Sequence, residues 1–498
     1  MNSKSIRAVV FVSVGVLALV GLLLWLGAAP PVWADPATRY VAPDGDDSKT
    51  CDSISNRCRT IQRAIDVSGT GDEIYVSGGT YTSAIGTVAV ITKELVLEGG
   101  YASDFGSHDP ELYQTVLDAQ WGGSVISIID AGDVLLHHLT LTHGDGAGNC
   151  KIGDSIGGCG GGIHVKDTPV HIGYCVITDN VGSSTGYGRG GGIYIDNGSN
   201  YQPADIWEGQ IVSNTATISD TAVGWGGGLW LQAGSHITPS AVMSTTFEDN
   251  TANTAGWGQG GGVLLWYYAT LSNNLFRHNY GSRAATGEGG ALYLWEVDGV
   301  TLEANRFLSN TASVSSYGYG GAIYGSANVA FTMTNNLLAE NHASTEGGGL
   351  WLDTWDPSYL IAGTLVNNTL ADNDAGAGGE GIWVGRYVSL TLTNTLIAGH
   401  TVGITITAPA SSTVSADTNL FWNTSDPITG TNAILEDPLL TADYHLGSGS
   451  PAIDAGLTIS WLTVDLEGNP RPQGSGYDIG AFEEVEGKVY LPLILKGY

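Results

Sequence analysis

Two short marks return together about every thirty residues along this chain, and a fixed period of that length is the signature of a repeat array rather than of a globule. The first is a glycine doublet, or Gly-Ala, followed by an aliphatic residue: Gly161-Gly162-Ile163, Gly191-Gly192-Ile193, Gly227-Gly228-Leu229, Gly261-Gly262-Val263, Gly290-Ala291-Leu292, Gly321-Ala322-Ile323 and Gly348-Gly349-Leu350. The second ends in asparagine, at Asn180, Asn214, Asn250, Asn279, Asn310, Asn341 and Asn373. No helical periodicity separates them. Each repeat therefore adds one turn of extended chain.

The strands follow the glycines. In Ile193-Tyr194-Ile195, Leu229-Trp230-Leu231, Leu292-Tyr293-Leu294 and Leu350-Trp351-Leu352 a side-chain period of two sends the aliphatic residues to one face and the residue between them to the other. A second apolar strand precedes each asparagine, as in Val300-Thr301-Leu302 before Phe307. Coils of this kind stack at the ordinary strand spacing of about 4.8 Å around an aliphatic core. The fold class predicted is all-β: a single-stranded right-handed parallel β-helix, a solenoid, with a short N-terminal capping helix. A β-propeller needs about forty residues and four antiparallel strands per blade, which the shorter period opposes.

The marks themselves read as structure. Asparagine tolerates a left-handed turn, and its amide can bond the equivalent amide one coil away, forming a ladder. Many marks carry a companion five residues earlier, as Asn274 does for Asn279 and Asn305 for Asn310. Gly186-Tyr187-Gly188-Arg189-Gly190-Gly191 satisfies the dinucleotide pattern but leads into a strand, so no helix dipole faces a phosphate there.

Charge narrows the partners. Eighteen Lys+Arg against 49 Asp+Glu give a formal net charge of −31, which repels nucleic acid and anionic lipid heads. Lys4 and Arg7 precede an apolar run from Ala8 to Ala29, and Val32-Trp33-Ala34 supplies small-residue spacing for cleavage before Asp35, the pattern of a secretory signal peptide over 1–34. The run is also long enough for an uncleaved anchor. Cys51 with Cys58, and Cys150 with Cys159, flank short loops and predict two local disulfides in an oxidising compartment, leaving Cys175 as a packed thiol. No metal site is expected of these cysteines.

Several segments resemble known families. Gly289-Gly290-Ala291-Leu292 and Gly320-Gly321-Ala322-Ile323, paired with Phe247-Glu248-Asp249-Asn250, Phe276-Arg277-His278-Asn279 and Phe307-Leu308-Ser309-Asn310, resemble the GGAI and FxxN repeats of chlamydial polymorphic outer-membrane proteins, which implies an adhesive surface β-helix. Tyr40-Val41-Ala42-Pro43-Asp44-Gly45, Thr60-Ile61-Gln62-Arg63-Ala64-Ile65-Asp66 and Gly71-Asp72-Glu73-Ile74-Tyr75-Val76 resemble the beginning of pectin-lyase-like right-handed β-helix proteins. Ser450-Pro451-Ala452-Ile453-Asp454-Ala455-Gly456, Asp465-Leu466-Glu467-Gly468-Asn469-Pro470 and Asp478-Ile479-Gly480-Ala481-Phe482-Glu483 are similar to the choice-of-anchor Q region of secreted bacterial β-helix proteins. The resemblances imply export and surface attachment, with a short apolar tail at Val489–Leu495. The domain plan is a signal peptide over 1–34, a strand and capping helix over 35–70, the β-helix over 71–435 and an anchor-like region over 436–498.

Pectin-lyase-like proteins include polysaccharide lyases and hydrolases, so catalysis is weighed beside binding. A lyase needs a base and, on a polyuronate, calcium; a hydrolase needs two carboxylates at a set gap. Lys166, Arg189, Arg277, Arg283, Arg306 and Arg386 are scattered over the coils, Glu288, Glu346 and Glu380 recur beside glycine turns without pairing, and no catalytic residue is assigned. The outward position of the glycine-marked strand is richer: His164, Tyr194, Trp230, Leu264, Tyr293, Tyr324, Trp351 and Trp383, with Trp266 and Trp295 two positions on. The expectation is an exposed aromatic strip that binds carbohydrate or another surface ligand through Tyr194, Trp230, Tyr293, Trp295, Tyr324, Trp351 and Trp383, against a structural aromatic ladder covered by the loops. The partner expected is a polysaccharide or surface glycan, with no cofactor unless calcium serves a polyuronate, no nucleic acid, and membrane contact only through signal or anchoring segments.

Overall fold

A computed structural model describes residues 36–152, 155–376, 378–425 and 430–485. The expected signal peptide over 1–34 and the apolar tail over 489–495 lie outside the described residues. Those described form a right-handed parallel β-helix: a thirteen-stranded sheet from Thr38–Val41 to Thr413–Asp417, a twelve-stranded sheet from Gly79–Tyr81 to Leu420–Trp422 and an eleven-stranded sheet from Ala89–Ile91 to Ile404–Ile406. Two seven-stranded sheets, mostly of two- and three-residue strands, accompany them. Coils stack in register, so that Phe247, Phe276 and Phe307 lie directly over one another, as do Leu292, Ile323 and Leu350.

Alternation places the core. Ile193, Ile195, Leu229, Leu292 and Leu294 have no exposure at all and join one continuous aliphatic cluster running the length of the solenoid. The three phenylalanines stack inside it, 4.9 and 4.7 Å apart between ring centroids. At the N-terminal end the helix Ile61–Val67 turns Ile61, Ala64 and Ile65 inward over the open core, and the Thr60 hydroxyl accepts from the Arg63 N–H to start it. Thr38–Val41 pairs with Asp72–Ser77, making the N-terminal strand the first rung of the thirteen-stranded sheet. Cys51 and Cys58 are bonded beneath it, Cys150 and Cys159 are bonded beside the first glycine repeat, and Cys175 is free and buried.

The asparagines form their ladder. Asn250 donates to Asn279 Oδ1 at 3.0 Å, Asn279 to Asn310 and Asn310 to Asn341 at 2.9 Å, while each of these amides also donates to a backbone carbonyl. His400 ends it, its Nε2 accepting the Asn373 N–H at 3.2 Å. A companion ladder runs through Asn274, Asn305, Asn336 and Asn368. The left-handed residue is not the ladder asparagine but the one before it: Asp179, Ser213, Asp249, His278 and Ser309 have φ from 53° to 56°. The kink there turns the amide inward, where all its bonds are made within the protein. The glycine mark works similarly. Gly190 takes φ 58°, and a Cβ on Gly191 would strike the Thr215 backbone.

After the last coil the chain doubles back along the twelve-stranded sheet. Leu466, Ala481 and Phe482 cover Leu337 and Ala339; Leu446, Ala452 and Ile479 cover Leu396 and Leu420. Three asparagines hold it, two of them just before members of the second ladder: Asn335 donates to Val464 O, Asn367 to Asp478 O and Asn394 to Leu457 O, each at 2.8 Å. Arg471 and Glu483 form an ion pair with no exposed side-chain surface, and Arg471 also donates to Asn335 Oδ1 and Gly480 O, so the charge is not left unpartnered. Among the described residues no helix is long and apolar enough to cross a membrane.

Candidate functional site

The outward column of the eleven-stranded sheet stacks as the strand rule requires. Ring centroids lie 4.7 Å apart for Tyr194 and Trp230, 4.9 Å for Tyr293 and Tyr324, 4.3 Å for Tyr324 and Trp351 and 5.0 Å for Trp351 and Trp383. Exposure is where the expectation fails. Tyr194, Trp230, Tyr293, Tyr324, Trp351 and Trp383 are only 2–9 % exposed, and Trp295 is half-buried. The chain between the asparagine and glycine marks does not stand off as an open loop. It folds down as the two-residue strands Gly188–Arg189, Gly224–Trp225, Gly258–Gln259, Gly287–Glu288 and Gly318–Tyr319, which roof the rings; Trp225 and Tyr319 pack against the second hydrophobic cluster that the rings form.

That roof is polar and knitted together. The Arg189 guanidinium lies 5.3 Å from the Trp225 ring and 5.1 Å from that of Trp230. Trp225 Nε1 donates to Gln259 Oε1 at 2.5 Å, and Gln259 Nε2 donates to Glu288 Oε2 at 2.7 Å. Burial pushes the Glu288 carboxyl up to about 7 and the His164 imidazole down to about 4. Trp351 Nε1 donates to Glu346 at 3.3 Å, and Glu380 accepts the Thr401 N–H. The three recurring glutamates thus serve the seam and its turns.

The basic side chains of the coils are engaged too. Arg277 pairs with Glu248, Arg306 with Glu467 at 3.7 Å, and Arg386 with Asp353 while its guanidinium sits 4.0 Å from the exposed Trp355 ring. Arg283 covers Tyr280 at 3.9 Å. Lys166 is exposed, in register with Asp196 on the next coil.

Open aromatic surface lies one corner away, where the eleven-stranded sheet passes to the thirteen-stranded one. Trp266 and Trp295 stack 5.5 Å apart and 3° from parallel and are half-buried, packed on one side against the covered rings. Tyr267 contacts Trp266 at 6.1 Å and Tyr201 at 5.4 Å between centroids, and Tyr201 is 49 % exposed. Polar groups interleave: Gln232 Nε2 donates to the Tyr267 hydroxyl at 3.3 Å, and Tyr268 OH donates to Asp298 at 3.4 Å. Of the expected binding residues only Trp295 belongs to this cluster. Tyr201, Tyr267 and Tyr268 sit on connections outside the repeat, where strand alternation gives no sign of them, although the run Trp266-Tyr267-Tyr268 is visible in the sequence.

No family model matches the chain, and no curated protein matches it. Among solved structures, pectate lyase Pel9A aligns with a TM-score of 0.42 at 14% identity, over 90% of this chain and 96% of that one. XylC in complex with xylose gives 0.40 at 9%, over 90% and 99%. The PL6 family alginate lyase AlyGC gives 0.43 at 12%, over 91% of this chain and 60% of its own. These are likenesses in the run of coils, and no residue of the site is taken from them.

Proposed function

We propose that this is an exported β-helix protein that binds a glycan at the corner formed by Tyr201, Trp266, Tyr267 and Trp295, with no catalysis assigned. The observation that carries the reading is the continuous contact of these rings at a surface where Gln232 and Asp298 stand beside them. Sugar rings present apolar faces that pack on aromatic surface, while amide and carboxylate groups bond their hydroxyls. The buried seam next to it holds Trp266 and Trp295 in place from behind. Two disulfides and the leader pattern over 1–34 support export.

The test is a panel of neutral and acidic polysaccharides, with and without calcium, followed by affinity electrophoresis and by assay of reducing ends and unsaturated products. The full chain is expected to be retarded by at least one glycan without releasing product. Tyr201→Ala and Trp295→Ala should each weaken retention about tenfold or more, since binding surfaces concentrate their energy in a few aromatic residues. Release of product from any glycan overturns the binding-only reading, and unchanged retention of both variants removes the site from this corner.

A further inference from the structure

The outward face of the thirteen-stranded sheet carries, near its N-terminal end, an assembly of imidazoles and a carboxylate far from the aromatic corner. His137 closes the strand Val134–His137 and His138 follows it. Neighbouring residues of a strand point to opposite faces, but His138 takes φ 54°, a conformation unfavourable for a residue with a Cβ, and the alternation breaks there. The two imidazoles come together, 4.2 Å apart between centroids, beside Glu98 of the preceding coil. One nitrogen from each ring and one Glu98 oxygen all lie within 4.8 Å of one another.

We propose that Glu98, His137 and His138 form a binding site for a divalent transition-metal ion of the zinc class, with a coordination position left open. Spacing supports this. Glu98 Oε1 is 3.5 Å from His137 Nδ1, a long and weak hydrogen bond. Ligands bound at 2.0–2.1 Å in a tetrahedral shell stand about 3.3 Å apart, close to the Glu98–His137 separation, and the His138 nitrogen lies within 4.8 Å of both. Two imidazoles and one carboxylate are a donor set for zinc and its neighbours, whereas calcium takes six to eight oxygens.

The surroundings fix the ligands. Tyr101 OH donates to the other Glu98 oxygen at 2.9 Å, and Tyr101 is itself stacked on Tyr75 at 4.5 Å. The Tyr174 ring lies 5.0 Å from that of His138 and meets His137 edge-on at 5.1 Å. His108 stands next to the group, its Nε2 2.9 Å from the Gly99 carbonyl oxygen and 3.7 Å from Glu98. Supporting contacts of this kind orient metal ligands and commonly change affinity by about 10–100-fold. The Glu98 and His137 side chains are 23 % and 15 % exposed, so an ion can reach them from solvent.

The experiment strips the full chain with chelator, then titrates Zn2+ by calorimetry and Co2+ by visible absorption. The expected result is one strong Zn2+ per chain and the intense ligand-field bands of four- or five-coordinate Co2+. His137→Gln and Glu98→Gln should each weaken Zn2+ by about 100-fold and Tyr101→Phe by about tenfold, while His236→Gln, on an exposed loop, leaves it unchanged. Equal binding by His137→Gln, Glu98→Gln and the unaltered chain overturns the site. Absence of strong binding by the folded chain, checked by circular dichroism, does the same. If neither variant folds, the Co2+ spectrum of the unaltered chain decides, and the pale spectrum of a six-coordinate ion overturns the assignment.

Discussion

Two faces of this solenoid obey one strand rule and end differently. Along the eleven-stranded sheet, from His164 to Trp383, the outward residue of each strand is itself buried, at Trp230, Tyr324 and Trp351 among others. Along the thirteen-stranded sheet the equivalent residues Thr270, Thr301 and Thr332 are half-buried and Thr364 and Thr391 exposed. Alternation fixes which side of the sheet a residue leaves by. Whether it then meets water depends on what the chain lays over that side, and the excursion that ends in the glycine mark covers one face only.

Three measurements sharpen or break the contrast. The largest effect belongs to the covered face: Trp351→Ala removes a ring stacked between Tyr324 and Trp383 and should cost about 4 kcal/mol in urea unfolding. A loss under about 1 kcal/mol would mean the roof closes over the gap and the seam is loosely packed.

Glu288 comes next, with a sign that depends on pH. Burial raises its folded value to about 7 from the usual 4.5, so between these the folded chain holds a proton that the unfolded chain releases. Its contribution is fully present below pH 4.5 and is lost as pH rises through 7. Glu288→Gln should therefore match the unaltered chain near pH 4 and exceed it on the order of 3 kcal/mol above pH 8. Parallel stability curves for the two chains would show that the carboxyl is solvated and the roof open. The smallest effect is expected on the uncovered face, where Thr332→Val should shift stability by no more than about 0.5 kcal/mol. A larger loss there would mean that something covers this sheet as well.

Much of the fold was legible because it is local and repeated. The period, the two-residue alternation and the short helix over Ile61, Ala64 and Ile65 need only neighbours in sequence, and the asparagine ladder follows once like residues are stacked. The backbone kink was legible only in part: left-handed geometry fell on Asp249 and Ser309 rather than on the asparagines after them, because the amide must face inward to bond four partners. The binding surface was harder. The rings that looked free, such as Trp230 and Trp351, are roofed by Trp225, Gln259 and Tyr319, whose positions depend on how a variable excursion packs. Tyr201 and Tyr267 lie on connections that obey no period.

What the sequence determined by itself is the stack: coil length, the inward and outward identity of each strand residue, and the glycine and asparagine turns, all set by short-range sterics and side-chain direction. Tertiary structure alone decided which outward residues meet solvent and which distant groups meet each other. Glu98, His137 and His138 converge only because one coil lies on the next and a left-handed turn at His138 brings two rings edge to face, a coincidence of register that no single segment contains.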